Sequence, residues 1–364
     1  MTNWSPLPDA PLFPATGFAP LADRIAALLG TRNDVVLVQA EAVVALEAAA
    51  ISLGRPGLVA LNVVTSLYGA WFGGWLRRAG ATVIDLAPEP GRPIAATAVH
   101  QAIKAAPSIG LLAMVHAESA TGIVNPLAQI MALAKQAGVI TVVDAVASFG
   151  GHAIPVDALG IDVAVIGPQK TMGGQAGCSA VSVSARAWDA MNPPAEAPSV
   201  LCLHDLKSAW IDTGRGALPG TPSPIEWHAL AATLDRVEAE GLPAIIARHA
   251  LAAQAMRAGV AALGVAPWVP AESASNLVTA GPVPDGYVAD DLIRALPPGE
   301  TMIAPGVGPA GNRLVRLNHT GPRAARGVVL SELAAYAHAL GRLGCTVDTA
   351  AALLAAAAVF DGSR

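Results

Sequence analysis

The stretch Val142–Gly177, VVDAVASFGGHAIPVDALGIDVAVIGPQKTMGGQAG, decides the fold. It holds two short apolar runs, VVD and DVAVI, rich in valine and separated by glycines and a proline. Runs of this length and β-branched content are strands buried on both faces, as in parallel sheets. The first run ends in Asp144, and the second leads through Gly167 and Pro168 to Gln169 and Lys170. A carboxylate at the end of a buried strand needs a cation or an N–H partner, because burying it bare costs several kcal/mol.

The same alternation extends outward. Val35–Val38, residues 57–64, 81–86 and 110–119 are expected strands upstream, with helical stretches between them. Residues 139–145, 162–169 and 177–184 follow, the last expected at a sheet edge. Alternating strands and helices make βαβ units, hence an α/β fold with a mostly parallel seven-stranded sheet. The first 20 residues carry five prolines and predict an extended arm. Beyond about residue 200 a polar loop runs from Cys202 to Pro224, then two long helices, two weaker strands and an Ala-rich helix pair. This predicts a large domain over residues 1–240 and a smaller C-terminal α/β domain over 241–364.

Composition narrows the function classes. Apolar residues make up 53%, charged residues 13% and aromatics 4%, so the core is built from small aliphatic side chains. Net charge is −5 with no basic block, which argues against nucleic acid. The three cysteines, Cys178, Cys202 and Cys345, are far apart and form no CxxC or Cys/His pattern, so neither a metal site nor a disulfide framework is expected. No signal peptide and no membrane span is expected, which predicts a cytoplasmic protein. So low a charged fraction predicts self-association through apolar patches.

Asp144 and Lys170 at neighbouring strand ends have two readings. One is a salt bridge supporting a loop. The other is an amine that condenses with an aldehyde cofactor, beside a carboxylate that holds a protonated pyridine nitrogen. The local sequence favours the second. DAVASFGG, then PVD, then a strand ending in Gln-Lys before a Gly-rich turn resembles the class V aminotransferases of fold type I. HAESATGIVNPL, TSLYGAW, TPSPIEWHAL and RLVRLNHTG resemble further segments of that family, in order along the chain. Within the family the likeness is to the alanine–glyoxylate type, and there to the pyridoxamine–pyruvate branch.

The resemblance implies roles residue by residue. Lys170 forms the Schiff base and moves the proton, Asp144 holds the ring nitrogen, and Tyr68 stacks on the ring or is a plain turn aromatic. Arg316 binds the substrate carboxylate. Ser119 and Thr121 lie near the cofactor or cap a helix. Gln169 and Thr221 lie near the cofactor tail, while His116 and His319 are structural or functional. The implied cofactor is pyridoxal 5′-phosphate, or unphosphorylated pyridoxal or pyridoxamine, bound at Lys170. The implied assembly is a homodimer or homotetramer, because family members lend the Thr-Pro segment to the neighbouring subunit.

Departures from the family pattern concern recognition. Val307 stands where the pyridoxamine–pyruvate branch has a second carboxylate-binding arginine, and Asn318 where the family has glycine. ALPGTP has Leu218 and Gly220 in place of the family's tyrosine. Above all, the turn before the first helix is Gln39-Ala40-Glu41-Ala42, without the glycine and hydroxyls that bind phosphate in relatives. Two unit charges 4 Å apart at an effective dielectric of 20 repel by about 4 kcal/mol, so Glu41 opposes a phosphate. The expected activity is amino transfer between unphosphorylated pyridoxamine and a small 2-oxo acid such as pyruvate. The alternatives are a conventional alanine/serine–glyoxylate aminotransferase using pyridoxal 5′-phosphate, or a lyase or epimerase on the same fold.

Overall fold

The computed structural model describes residues 10–194, 196–299, 302–308 and 310–362. The expected arm at residues 1–9 lies outside them. Seven strands form the main sheet: β1 (Asp34–Val38), β2 (Val59–Val63), β3 (Thr82–Leu86), β4 (Ile109–Val115), β5 (Ile140–Asp144), β6 (Val163–Ile166) and β7 (Ser179–Val183). Their order is β1-β7-β6-β5-β4-β2-β3. β2–β3, β2–β4, β4–β5 and β5–β6 pair in parallel, while β7 is antiparallel to both β1 and β6. The mostly parallel seven-stranded sheet is therefore present.

Successive side chains of a strand face opposite sides of the sheet. Val35, Leu37, Val143 and Ala164 accordingly pack in one apolar cluster, and Val36, Val38, Val142 and Val165 in another. The helix Ala42–Leu53 belongs to the second cluster and is buried nearly all round. Its alanines let it lie close under the strands, with its N-terminus at the end of β1. A second sheet has the order β8-β10-β9, from Val278–Pro282, Leu314–Asn318 and Ala304–Pro305 respectively. The helices Leu242–Ala262, Arg326–Arg342 and Thr349–Asp361 pack with it around a third cluster, centred on Met256, Leu333 and Tyr336.

Three expectations are corrected. Residues Phe18–Leu29 of the proline-rich start are helical, with Pro20 in the first turn, where a missing N–H is tolerated. β7 is not an edge strand; all five of its residues are buried between β1 and β6. Within residues 202–224 lie a helical turn, Leu203–Leu206, and a π-helical turn, Lys207–Ile211, which carries the buried Trp210.

A buried polar knot pins the ends of β5, β6 and β7 opposite the site. Asp162 accepts from the Thr141 backbone N–H at 3.0 Å and from Ser184 Oγ at 2.9 Å, and the Asp162 N–H donates to Thr141 Oγ1 at 2.9 Å. Arg186 adds only a long contact to the same carboxylate, 3.9 Å, from an exposed position. Asp162→Ala leaves the buried Thr141 N–H without a partner and removes the acceptor of the Ser184 hydroxyl. It should cost about 2–3 kcal/mol in urea unfolding, whereas Arg186→Ala should cost less than about 0.5 kcal/mol. Equal losses in the two variants would assign the stabilisation to the ion pair instead.

Candidate active site

Ligands of open parallel sheets sit beyond the carboxyl ends of the strands. Those ends bring six sequence-chosen residues together. Glu41 follows β1, Tyr68 lies in the helix after β2, and Ser119 follows β4. Asp144 ends β5, and Gln169 and Lys170 follow β6. Glu41, Tyr68, Ser119, Asp144 and Lys170 line one hollow of about 40 Å³. Ser119, Gln169, Lys170 and Arg316 line an adjoining cavity of about 470 Å³.

Each position has a local cause. Ser66 caps the helix Leu67–Arg78 by accepting from the Tyr68 N–H, which sets the tyrosine in the first turn. Asp144 Oδ1 accepts from the Val146 N–H at 2.9 Å. Arg316 is the third residue of β10, and its Nε donates to the Pro305 carbonyl at 3.0 Å. Gly167 precedes Pro168-Gln169 because a side chain there would strike the Gln169 amide and Ala42.

Glu41 is the N-cap of the buried helix Ala42–Leu53. Its Oε2 accepts from the Val43 N–H at 2.8 Å, and its Oε1 accepts from Gln169 Nε2 at 2.6 Å. A helix N-terminus is an anion site, because its free N–H groups and dipole favour negative charge. Here the chain's own carboxylate takes that site.

Lys170 and Asp144 form no salt bridge; among the described residues Lys170 Nζ has no hydrogen-bond partner. The loop-supporting reading of this pair therefore fails. Burial, first of all, holds the Lys170 amine below its usual range, against the opposing pull of Glu41 and Asp144. Burial likewise pushes Asp144 up to about 6, with the Val146 N–H and Lys170 working the other way. Tyr68 is raised, chiefly by burial.

One residue was missed as a site candidate, although its segment was noted. Glu118 is fully buried, accepts from Thr65 Oγ1 at 2.5 Å, and lines the small hollow beside Asp144. Burial raises it to about 7, and its Oε2 has no partner. The signal was its place in HAESATG, one residue before Ser119. Ser119 and Thr121 cap no helix; the next helix, Leu127–Gln136, starts after Pro126, and Thr121 Oγ1 is buried without a partner. His116 and His319 stay outside both cavities and are held neutral by burial, each pushed down to about 3. Thr221 lines neither cavity; it is exposed in a groove with Gln39, Ala40 and Leu218.

These residues fit a pyridine ring. The small hollow offers an aromatic face, Tyr68, a buried carboxylate without a cation bonded to it, Asp144, and an unbonded amine, Lys170. Among the described residues, no group of three or more His, Cys, Asp or Glu suits a metal, and no helix is long and apolar enough to cross a membrane.

The chain belongs to the class V aminotransferases: residues 18–304 match the model of that family. It is an aminotransferase of fold type I, an enzyme class dependent on pyridoxal 5′-phosphate. It is 34% identical over 345 residues to the pyridoxamine–pyruvate transaminase of Mesorhizobium japonicum, covering 94% of this chain and 87% of the relative. The crystal structure of pyridoxamine–pyruvate aminotransferase from Mesorhizobium loti superposes with a TM-score of 0.89 at 32% identity, covering 96% and 90% of the two chains. The alanine–glyoxylate aminotransferase of Nostoc sp. superposes with a TM-score of 0.82 at 25% identity, covering 93% and 90%.

Asp144 can pair with a protonated ring nitrogen only as a carboxylate. Because burial raises it to about 6, that form is lost as pH falls through 6. In a Lys170→Ala background, pyridoxamine binding read by tryptophan quenching should therefore weaken from pH 8 to pH 5. Adding Asp144→Asn should weaken binding at pH 8 by roughly 10–100-fold and flatten the slope. A slope unchanged by Asp144→Asn would remove Asp144 from the ring-nitrogen role.

Proposed function

We propose that this aminotransferase moves an amino group between unphosphorylated pyridoxamine and a small 2-oxo acid such as pyruvate. The observation that carries the reading is Glu41, hydrogen-bonded to both the helix N-terminus and Gln169. A phosphate seated there must displace a tethered anion from its donors and face its charge. A 5′-hydroxyl, by contrast, can donate to the carboxylate. The 34% identical relative from Mesorhizobium japonicum, a pyridoxamine–pyruvate transaminase, supports this reading.

The roles follow from the contacts. Asp144 would hold the ring nitrogen, Tyr68 would stack on the ring, and Ser119 would face its polar edge. A bound B6 ring supplies the electron sink for removal of a substrate proton. Lys170 Nζ would be the attachment point and, once free, the base that carries the proton to or from the substrate α-carbon; its burial favours the neutral amine this needs. Arg316 keeps its terminal nitrogens for a carboxylate while Nε is tied to Pro305. Tyr68 and Glu118 wall the hollow against water.

The exposed Thr221 loop supports a homodimer or homotetramer in which it serves a neighbouring site. The three unpaired cysteines fit a reducing, cytoplasmic setting. We take residues 1–240 as the cofactor-binding domain and 241–364 as the smaller one. Ile245 still packs in the large core and Met256 in the small one, so the helix Leu242–Ala262 joins them.

Purified enzyme supplied with pyridoxamine and a 2-oxo acid should form pyridoxal, and Lys170→Ala should abolish this. Glu41→Ser should tighten pyridoxal 5′-phosphate binding by roughly 10–100-fold, since it removes a repulsion of order 1–4 kcal/mol. Stoichiometric phosphate bound to the wild-type protein as purified would sink the unphosphorylated reading. So would an unchanged affinity in Glu41→Ser.

A further inference from the structure

The cavity beside Lys170 carries more positive charge than one small carboxylate neutralises. Beside Lys170, whose burial favours the neutral amine, its lining includes the arginines Arg316 and Arg323, and no aspartate or glutamate. Two neighbouring arginines are already engaged. Arg236 donates to the Met172 and Gly173 carbonyls at 2.8 and 3.0 Å. Arg248 is held by Glu240 at 2.6 Å and donates to the Gly321 carbonyl at 2.7 Å. Arg323 differs: among the described residues its side chain makes no hydrogen bond or ion pair.

The two free guanidiniums come from different elements. Arg316 lies on β10, and its charge acts on Lys170 and Tyr68. Arg323 ends the turn Gly321–Arg323, and its charge acts instead on Glu332, which accepts from the Met302 N–H at 2.7 Å. Met302 lines the same cavity, so Arg323 serves a part of it away from the lysine. The turn itself is fixed. Gly321 has φ 64°, and a Cβ there would come within 2.7 Å of the Lys170 carbonyl. Its N–H donates to His249 Nε2 at 2.8 Å, and Pro322 packs on Gly173. Arg323 therefore has an anchored backbone and an unpaired head, which is the economy of a preorganised anion receptor.

We propose that Arg323 binds the distal carboxylate of a 2-oxo dicarboxylic acid whose 1-carboxylate lies on Arg316. The proposal rests on the amino-transfer reading and names the acceptor class within it. A monocarboxylate would leave the Arg323 head without a hydrogen-bond partner, with only the longer-range charge of Glu332 acting on it; a second carboxylate pairs it directly, bidentate where the two planes align. Arg323 is not a positional substitute for the arginine replaced at Val307, which does not line the cavity.

The test compares 2-oxoglutarate, oxaloacetate and pyruvate as acceptors from pyridoxamine. Wild-type enzyme should favour the dicarboxylates in kcat/KM by about 10-fold or more. Arg323→Leu should raise KM for 2-oxoglutarate by roughly 30–100-fold and change pyruvate by less than about 3-fold, and Arg323→Lys should restore part of the loss. A wild-type preference for pyruvate, or equal losses for both acids, would overturn the proposal. Calorimetric titration with the unreactive acids glutarate and propionate gives a readout independent of turnover. Glutarate should bind more tightly, and only in the presence of Arg323. If pyridoxamine donates to no oxo acid while glutarate still binds through Arg323, the donor reading fails and the Arg323 assignment stands. If pyruvate is aminated and glutarate binding ignores Arg323, the outcome is the reverse.

Discussion

The contact between the Glu41 carboxylate, the Val43 N–H and the Gln169 amide sets the electrostatics of the whole site. It satisfies the N-terminus of a helix that is buried on nearly every side, where an unmet donor would be costly. It also places one fixed negative charge within reach of the chemistry. That charge raises Lys170, Asp144 and Tyr68 alike. On Lys170 it partly offsets burial, so the amine is poised between two opposing effects. An anion that is part of the chain holds its place at a high effective concentration, which a diffusing phosphate must outcompete.

Around this point the molecule keeps its buried histidines neutral. His116 and His319 are each pushed down to about 3 and His152 to about 4, all first by desolvation. His249 is lowered as well, and its ring accepts the Gly321 N–H that fixes the Arg323 turn. His152, His249 and His319 thus act as hydrogen-bond partners and not as charges. Fixed positive charge is left to the cavity, on Arg316 and Arg323. In a chain with only 13% charged residues, that concentration is what an anionic substrate would meet there.

Much of this was legible in the sequence, for identifiable reasons. β5 and β6 are short, continuously apolar and Gly-bounded, so their ends, and with them Asp144 and Lys170, could be located from pattern alone. Periodicity does not encode strand order, and so β7 was misassigned to an edge: a run of Ser, Ala and Val looks half-exposed until both neighbours are known. The helix Phe18–Leu29 was hidden by a proline that its first turn tolerates. Glu118 was overlooked because a glutamate beside a polar loop is ordinarily solvated; only the hydroxyl of Thr65, from another strand end, makes it a buried acid. Arg323 was invisible for the same reason. Its significance is that Arg236 and Arg248 beside it are bonded and it is not, and that is a property of packing.

The site also divides its labour by element. Asp144 and Lys170 ride on adjacent parallel strands whose register is set by Val142–Val163 and Asp144–Val165 pairing. The groups that would discriminate between ligands sit elsewhere. The helix N-terminus and the Gly167–Gln169 turn would meet the 5′ side of a bound ring, while β10 and the Gly321–Arg323 turn that follows it belong to the C-terminal part of the chain. A change in either recognition element leaves the strand register untouched. The fold can therefore keep its proton chemistry constant while phosphate tolerance and acceptor choice vary independently, so specificity is argued from those turns and not from the sheet.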